Sequence, residues 1–80
     1  MTFNVPHYDK KLDTKGLMCP EPIMLLHKAM REMASGDVLL MEATDPSSER
    51  DVKKFCEFLS HRLVQMDVDD SALFFYIQKN

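Results

Sequence analysis

The chain has 80 residues, 45% of them apolar and 29% charged, the balance of one small globular domain near the lower size limit for a core without staples. No apolar run reaches membrane-spanning length, and Met1–Pro6 lacks a basic stretch followed by an apolar one. Neither a membrane anchor nor a secretory signal is expected, and the cytoplasm is the expected compartment. A net charge of −3 does not draw the chain onto nucleic acid, and two cysteines without an export signal argue against a structural disulfide.

Residues 1–9, interrupted by Pro6, read as a flexible tail, and 10–80 as a single domain. Lys10 to Thr14 is expected as a short first strand, with Leu12 inward and Asp13 outward. Gly16 lets the chain turn, and Leu17-Met18-Cys19-Pro20-Glu21-Pro22 follows. Proline suits the first turn of a helix because the N–H it lacks would be unpaired there. Pro20 and Pro22 therefore predict a helix from about Pro20 to Met33. Ile23, Leu26, Met30 and Met33, with Ala29 beside them, recur at helical spacing as its buried stripe. Ser35-Gly36 is expected to end it, the glycine taking a left-handed position.

Val38-Leu39-Leu40-Met41 with Ala43 is a continuous apolar run, suited to a central strand. Asp45 is predicted to cap a second helix with Pro46 in its first turn, and a later cap at Asp51 is equally compatible. Val52, Phe55, Cys56 and Leu59 make its core stripe, and Lys53, Lys54 and Glu57 face water. Val64, Met66 and Val68 alternate with Gln65, Asp67 and Asp69 as a half-buried strand. Asp69-Asp70-Ser71 supplies turn residues, and Leu73 to Gln78 returns as the last strand. The order strand, helix, strand, helix, strand, strand is that of an α/β (α+β) two-layer sandwich, with two helices on one face of a four-stranded sheet.

The chemistry centres on Cys19. It stands at the last position before a helix, where free N–H groups and the positive end of the helix dipole favour thiolate over thiol. There is no Cys-x-x-Cys for dithiol exchange, and His7, His27 and His61 show no metal-ligand spacing. A Cys-His protease dyad has little room for a cleft in so short a chain. What remains is one nucleophilic sulfur able to carry something. Burial as a small apolar residue is the bland alternative; for Cys56, which shares the stripe of Val52 and Leu59, that is the reading adopted.

Around Cys19, Glu21 complements the helix dipole. Asp13 serves either a strand end or the rim of the site. His61 is placed as a cation near the end of the second helix, and His27 in solvent. Met24 falls on the outward arc with His27, Lys28 and Arg31, and Met18 adjoins the cysteine. Lys28 and Arg31 would steer a partner with an acidic surface, Met18 and Met24 would give adaptable apolar contact, and Arg50 marks the next place to look. The plainer reading of Lys28 and Arg31 is the solvated side of an amphipathic helix.

The run Leu12-Asp13, Gly16-Leu17-x-Cys19-Pro20-Glu21-Pro22, Gly36, Asp45-Pro46, Arg50-Asp51, Phe55-Cys56 and His61 resembles the SirA/TusA-like family of sulfur carriers. Chain length and Phe55-Cys56-x-Phe58 are closer to its TusA branch than to diverged paralogues. The resemblance implies a mixed sheet, a free monomer, and no metal or organic cofactor. It implies that Cys19 accepts a persulfide sulfur from a cysteine desulfurase and passes it to an acceptor cysteine in a TusBCD-like complex. The implied end use is 2-thiouridine at the tRNA wobble position, with molybdenum cofactor synthesis as a second outlet, the RNA being held by a partner. Met18 and His27 stand where the family often carries arginine. The reading from another class is a non-catalytic regulatory or interaction domain, RNA-associated or not.

Overall fold

Six elements follow one another in the computed structural model, which describes residues 6–80: β1 (Lys10–Thr14), α1 (Glu21–Arg31), β2 (Val38–Ala43), α2 (Ser48–Leu59), β3 (Arg62–Val68) and β4 (Leu73–Gln78). The apolar run of β2 makes it an inner strand. It pairs in parallel with β1 and antiparallel with β4, and β3 completes the mixed sheet on the far side of β4, in the order β1-β2-β4-β3. Parallel neighbours need a crossover, which α1 supplies between β1 and β2.

Strand alternation sorts β2 onto two faces. Leu39, Met41 and Ala43 are fully buried with their β4 neighbours Ile77 and Phe75, beneath Leu26, Ala29 and Met30 of α1 and Val52, Phe55 and Cys56 of α2. Each such large side chain contributes roughly 1.5–3 kcal/mol by leaving water. On the opposite face Leu40 lies beside Tyr76, and the sheltered Glu42 carboxylate is held by Lys11 at 3.2 Å and Lys15 at 3.0 Å. Of the expected tail, Met1–Val5 lies outside the described residues. Asp9 joins the sheet edge, donating its N–H to the Val38 carbonyl at 2.7 Å and accepting the Val38 N–H at 2.9 Å.

Several local expectations are corrected. α1 stops at Arg31, and Met33 is buried beyond it. Gly36 does take the left-handed conformation (φ +92°), but in the turn into β2, where its N–H donates to the Lys79 carbonyl. α2 begins at Ser48 with Ser47 as its cap residue, because Asp45 and Pro46 are used in the preceding turn; neither Asp45 nor Asp51 caps it. α2 ends on Ser60 in the left-handed conformation (φ +60°). In β3 a bulge between Leu63 and Gln65 sets Val64 outside the ladder. An extra residue reverses the alternation on one side of it. Leu63 and Met66 therefore pack on the core while Val64 is exposed; Val68 shares the face of Met66 but is exposed at the end of the strand.

Candidate active site

The parallel pairing of β1 with β2 sets Thr14 beside Ala43, so both strands deliver their carboxyl ends to one edge of the sheet. Crevices at such ends are where open α/β sheets place their sites. The loop after β1 is tied down there. Thr14 Oγ1 donates to the Glu42 carbonyl at 2.6 Å, and the Gly16 N–H donates to Thr44 Oγ1 at 2.9 Å. Gly16 has φ +85°, a left-handed turn that few residues besides glycine adopt without strain. The chain then presents Cys19, whose N–H donates to Asp45 Oδ2 at 2.7 Å and whose peptide bond to Pro20 is cis. Asp51, on the first turn of α2, brings Oδ2 to 3.6 Å from Cys19 Sγ.

This surrounding overturns the expected thiolate. The helix cap is Pro20, one residue after the cysteine. Pro20 and Pro22 carry no N–H, and the N–H of Glu21 donates to the Met18 carbonyl at 2.9 Å. The start of α1 thus offers little to an anion, and two carboxylates stand closer. Partial desolvation, the hydrogen bond and charge of Asp51, and the charge of Asp45 together hold the Cys19 thiol above its ordinary range, with Ser47 pulling slightly the other way. Asp45 itself is held low, chiefly by the N–H groups of Cys19 and Ser47. Arg50 lies beside Asp51, Nε to Oδ1 at 3.5 Å.

From Cys19 a groove of about 450 Å³ runs between the two helices. Ile23 and Phe55 line it, His27 and Lys54 stand along it, and Phe58 and Leu59 form a lip. Phe58 is 89% exposed and Leu59 42%, so Leu59 leaves the core stripe expected for it. His27 does not simply point into solvent. Its ring meets Phe55 edge-on with centroids 4.7 Å apart, and Phe55 in turn lies 5.4 Å from His61. His61 is not the expected helix-end cation. Its Nδ1 accepts the Asn80 N–H at 3.1 Å, and burial together with the charge of Lys79 lowers its pKa.

Of the residues expected around Cys19, Met18 (72% exposed) and Met24 (61%) are open to solvent. Pro20, Glu21 and Pro22 build the helix start, with Pro22 buried. Arg31 lines a small cavity of about 100 Å³ adjoining the groove, beside His61 and Lys79, whereas Lys28 lies outside both. Sequence reasoning missed Asp45 and Asp51 as neighbours of the thiol, and Lys54, Phe58 and Leu59 as groove residues. One signal was present: Phe58 sits one turn from Lys54 on the polar arc of α2, where an aromatic ring has no core to fill.

An exposed thiol at the mouth of an open, apolar groove suits a domain that presents its sulfur to large partners. Among the described residues no cluster of His, Cys, Asp and Glu is fit to hold a metal, and no helix is long and apolar enough to cross a membrane. The family model described as Sulfurtransferase TusA matches residues 10–79. The sulfur carrier protein TusA of Pseudomonas entomophila (strain L48) is 49% identical over 72 residues, 90% of each chain. That of Pseudomonas putida (strain GB-1) is 48% identical over 71 residues, 89% of each. The crystal structure of a SirA-like protein from Desulfitobacterium hafniense superposes with a TM-score of 0.77, covering 88% of this chain and 96% of that one at 21% identity, and shares the fold. The chain belongs to the TusA sulfurtransferase family.

Proposed function

We propose that this protein is a cytoplasmic sulfur carrier and that Cys19 is the residue that bears the sulfur. The observation that carries the reading is the exposed Sγ on the Cys-Pro-x-Pro loop, at the open end of the groove between the helices. Cys56 is no competitor, being buried and pushed up to about 11 by desolvation. A cysteine desulfurase donates a sulfane sulfur, Cys19 holds it as a persulfide, and a cysteine of a downstream TusBCD-like acceptor removes it. Thiolation of the tRNA wobble uridine is the end use we assign, with molybdenum cofactor synthesis a second outlet. The carrier works as a monomer without a cofactor, and the acceptor machinery handles the RNA.

Both partners must reach one sulfur, so docking falls on the surface around it. Met18 and Met24 are adaptable apolar contacts, Phe58 and Leu59 a protruding lip, and Lys28, Arg31 and Arg50 steer the encounter. Pro20, Glu21 and Pro22 support the thiol-bearing loop. Intact mass after incubation with a desulfurase and cysteine tests the assignment. One added sulfur on Cys19, removable by a thiol reductant, is the expected result. No adduct with a desulfurase that loads another carrier would remove the carrier function.

A further inference from the structure

We propose that Asp51 is a catalytic acid–base residue of sulfur transfer, holding the Cys19 proton in the free carrier and accepting it as a partner's sulfur arrives. This rests on the assignment of Cys19 as the carrier residue. The geometry selects Asp51 from the groups at hand. From the loop before α2, Asp45 has both oxygens engaged by backbone, Oδ2 by the Cys19 N–H and Oδ1 by the Ser47 N–H at 3.0 Å. It positions the loop and is not free to take a proton. From α1, His27 is turned edge-on against Phe55, and from α2, Lys54 lines the same groove as a cation. Asp51 alone of these directs an oxygen at the sulfur, at 3.6 Å. Arg50 lies against its other oxygen, and the Asp51 N–H donates to the Ser47 carbonyl at 3.1 Å, anchoring the residue in the first turn.

The step balances without an outside oxidant or reductant. The proton of Cys19 Sγ passes to Asp51 Oδ2, and the freed sulfur lone pair bonds to the terminal sulfur of the donor persulfide. The donor's S–S bond breaks, its electron pair stays on the donor cysteine sulfur, and the proton returns from Asp51 to that sulfur. One thiol and one persulfide become one persulfide and one thiol. Delivery is the same exchange in reverse. The acceptor thiol gives its proton to Asp51 and its sulfur bonds to the outer sulfur; the Cys19 S–S bond breaks, and Asp51 returns the proton to the departing Cys19 sulfur. A partner seated on the groove would exclude water from Asp51, whose side chain is already only 22% exposed, and would strengthen its coupling to the thiol.

The same carboxylate has opposite effects in the free and docked protein, which provides the test. In the free carrier its negative charge disfavours the thiolate and slows small electrophiles. Two rates are measured on the full chain for wild type, Asp51→Asn and Asp51→Glu, with thermal melts as a folding control. The first is the pH profile of iodoacetamide alkylation at Cys19. The second is sulfur uptake from a cysteine desulfurase supplied with cysteine. Asp51→Asn is expected to move the alkylation profile to lower pH while uptake falls about a hundredfold, the low end for loss of a general acid–base. Asp51→Glu is expected to recover part of the uptake. Uptake that stays level, or that rises or falls in step with alkylation, would overturn the role of Asp51. Wild-type protein that takes up no sulfur would overturn the carrier reading beneath it, a result distinct from a silent substitution.

Discussion

Phe58→Ala separates docking from folding more cleanly than any other single change. The ring is 89% exposed, and a surface substitution of this kind shifts stability by no more than about 0.5 kcal/mol. For a domain of this size that corresponds to a melting shift of at most about 4 °C. If the ring inserts into a partner, the loss on binding is that of a buried aromatic anchor, about 2 kcal/mol or more. Affinity for the desulfurase would then fall roughly thirtyfold. The assay is sulfur uptake over a range of carrier concentrations. The half-saturating concentration should rise by that factor, with little change in the maximal rate or in alkylation of Cys19. Phe55→Ala is the contrast. Its ring is buried and packed against His27 and His61, so truncation costs about 3–5 kcal/mol of folding stability and lowers the melting temperature sharply. Unchanged uptake by Phe58→Ala at limiting carrier would refute the lip as a docking element.

Cys19→Ser should abolish sulfur loading in the mass assay with an unaltered melt, whereas Cys56→Ser should load normally and lose about 1–3 kcal/mol in urea titration, through a hydroxyl placed in the core. Cys19 should alkylate more slowly in the folded protein than in denaturant at the same mildly alkaline pH, because only the fold partly desolvates its sulfur and sets Asp51 and Asp45 beside it. Cys56, raised to about 11, keeps its proton in the folded state; its contribution is complete below the unfolded thiol pKa of about 8.5 and is lost as pH rises through about 11, so urea midpoints of Cys56→Ala should show a smaller alkaline decline than wild type. Lys28→Glu combined with Arg31→Glu should slow uptake and flatten its salt dependence while Cys19 alkylation is unchanged; normal uptake would move the steering charges to Arg50. Ser48→Ala should raise the melting temperature, since the Ser48 hydroxyl is buried without a hydrogen-bond partner among the described residues.

The order of the six elements was legible in the chain because each carries its own local signal. Apolar residues at helical spacing, a continuous apolar strand, prolines at a helix start and an aspartate-rich turn are all short-range patterns. Cys19 stood out as the candidate for the same reason, its prolines and glycine lying within a few residues of it. The bulge at Val64 was not, since inserting one residue into a strand depends on the partner strand's register. Leu59 and Phe58 escaped because helical spacing identifies a face but not where the neighbouring helix stops covering it. The character of the thiol was decided furthest from local sequence. Asp45 and Asp51 lie 26 and 32 residues from Cys19 and meet it only because β1 and β2 run parallel and release their loops at one edge. The helix start alone argues for a thiolate, and the fold reverses that sign, because partial desolvation of the sulfur, together with the Asp51 and Asp45 carboxylates brought to it, outweighs a half-satisfied helix end.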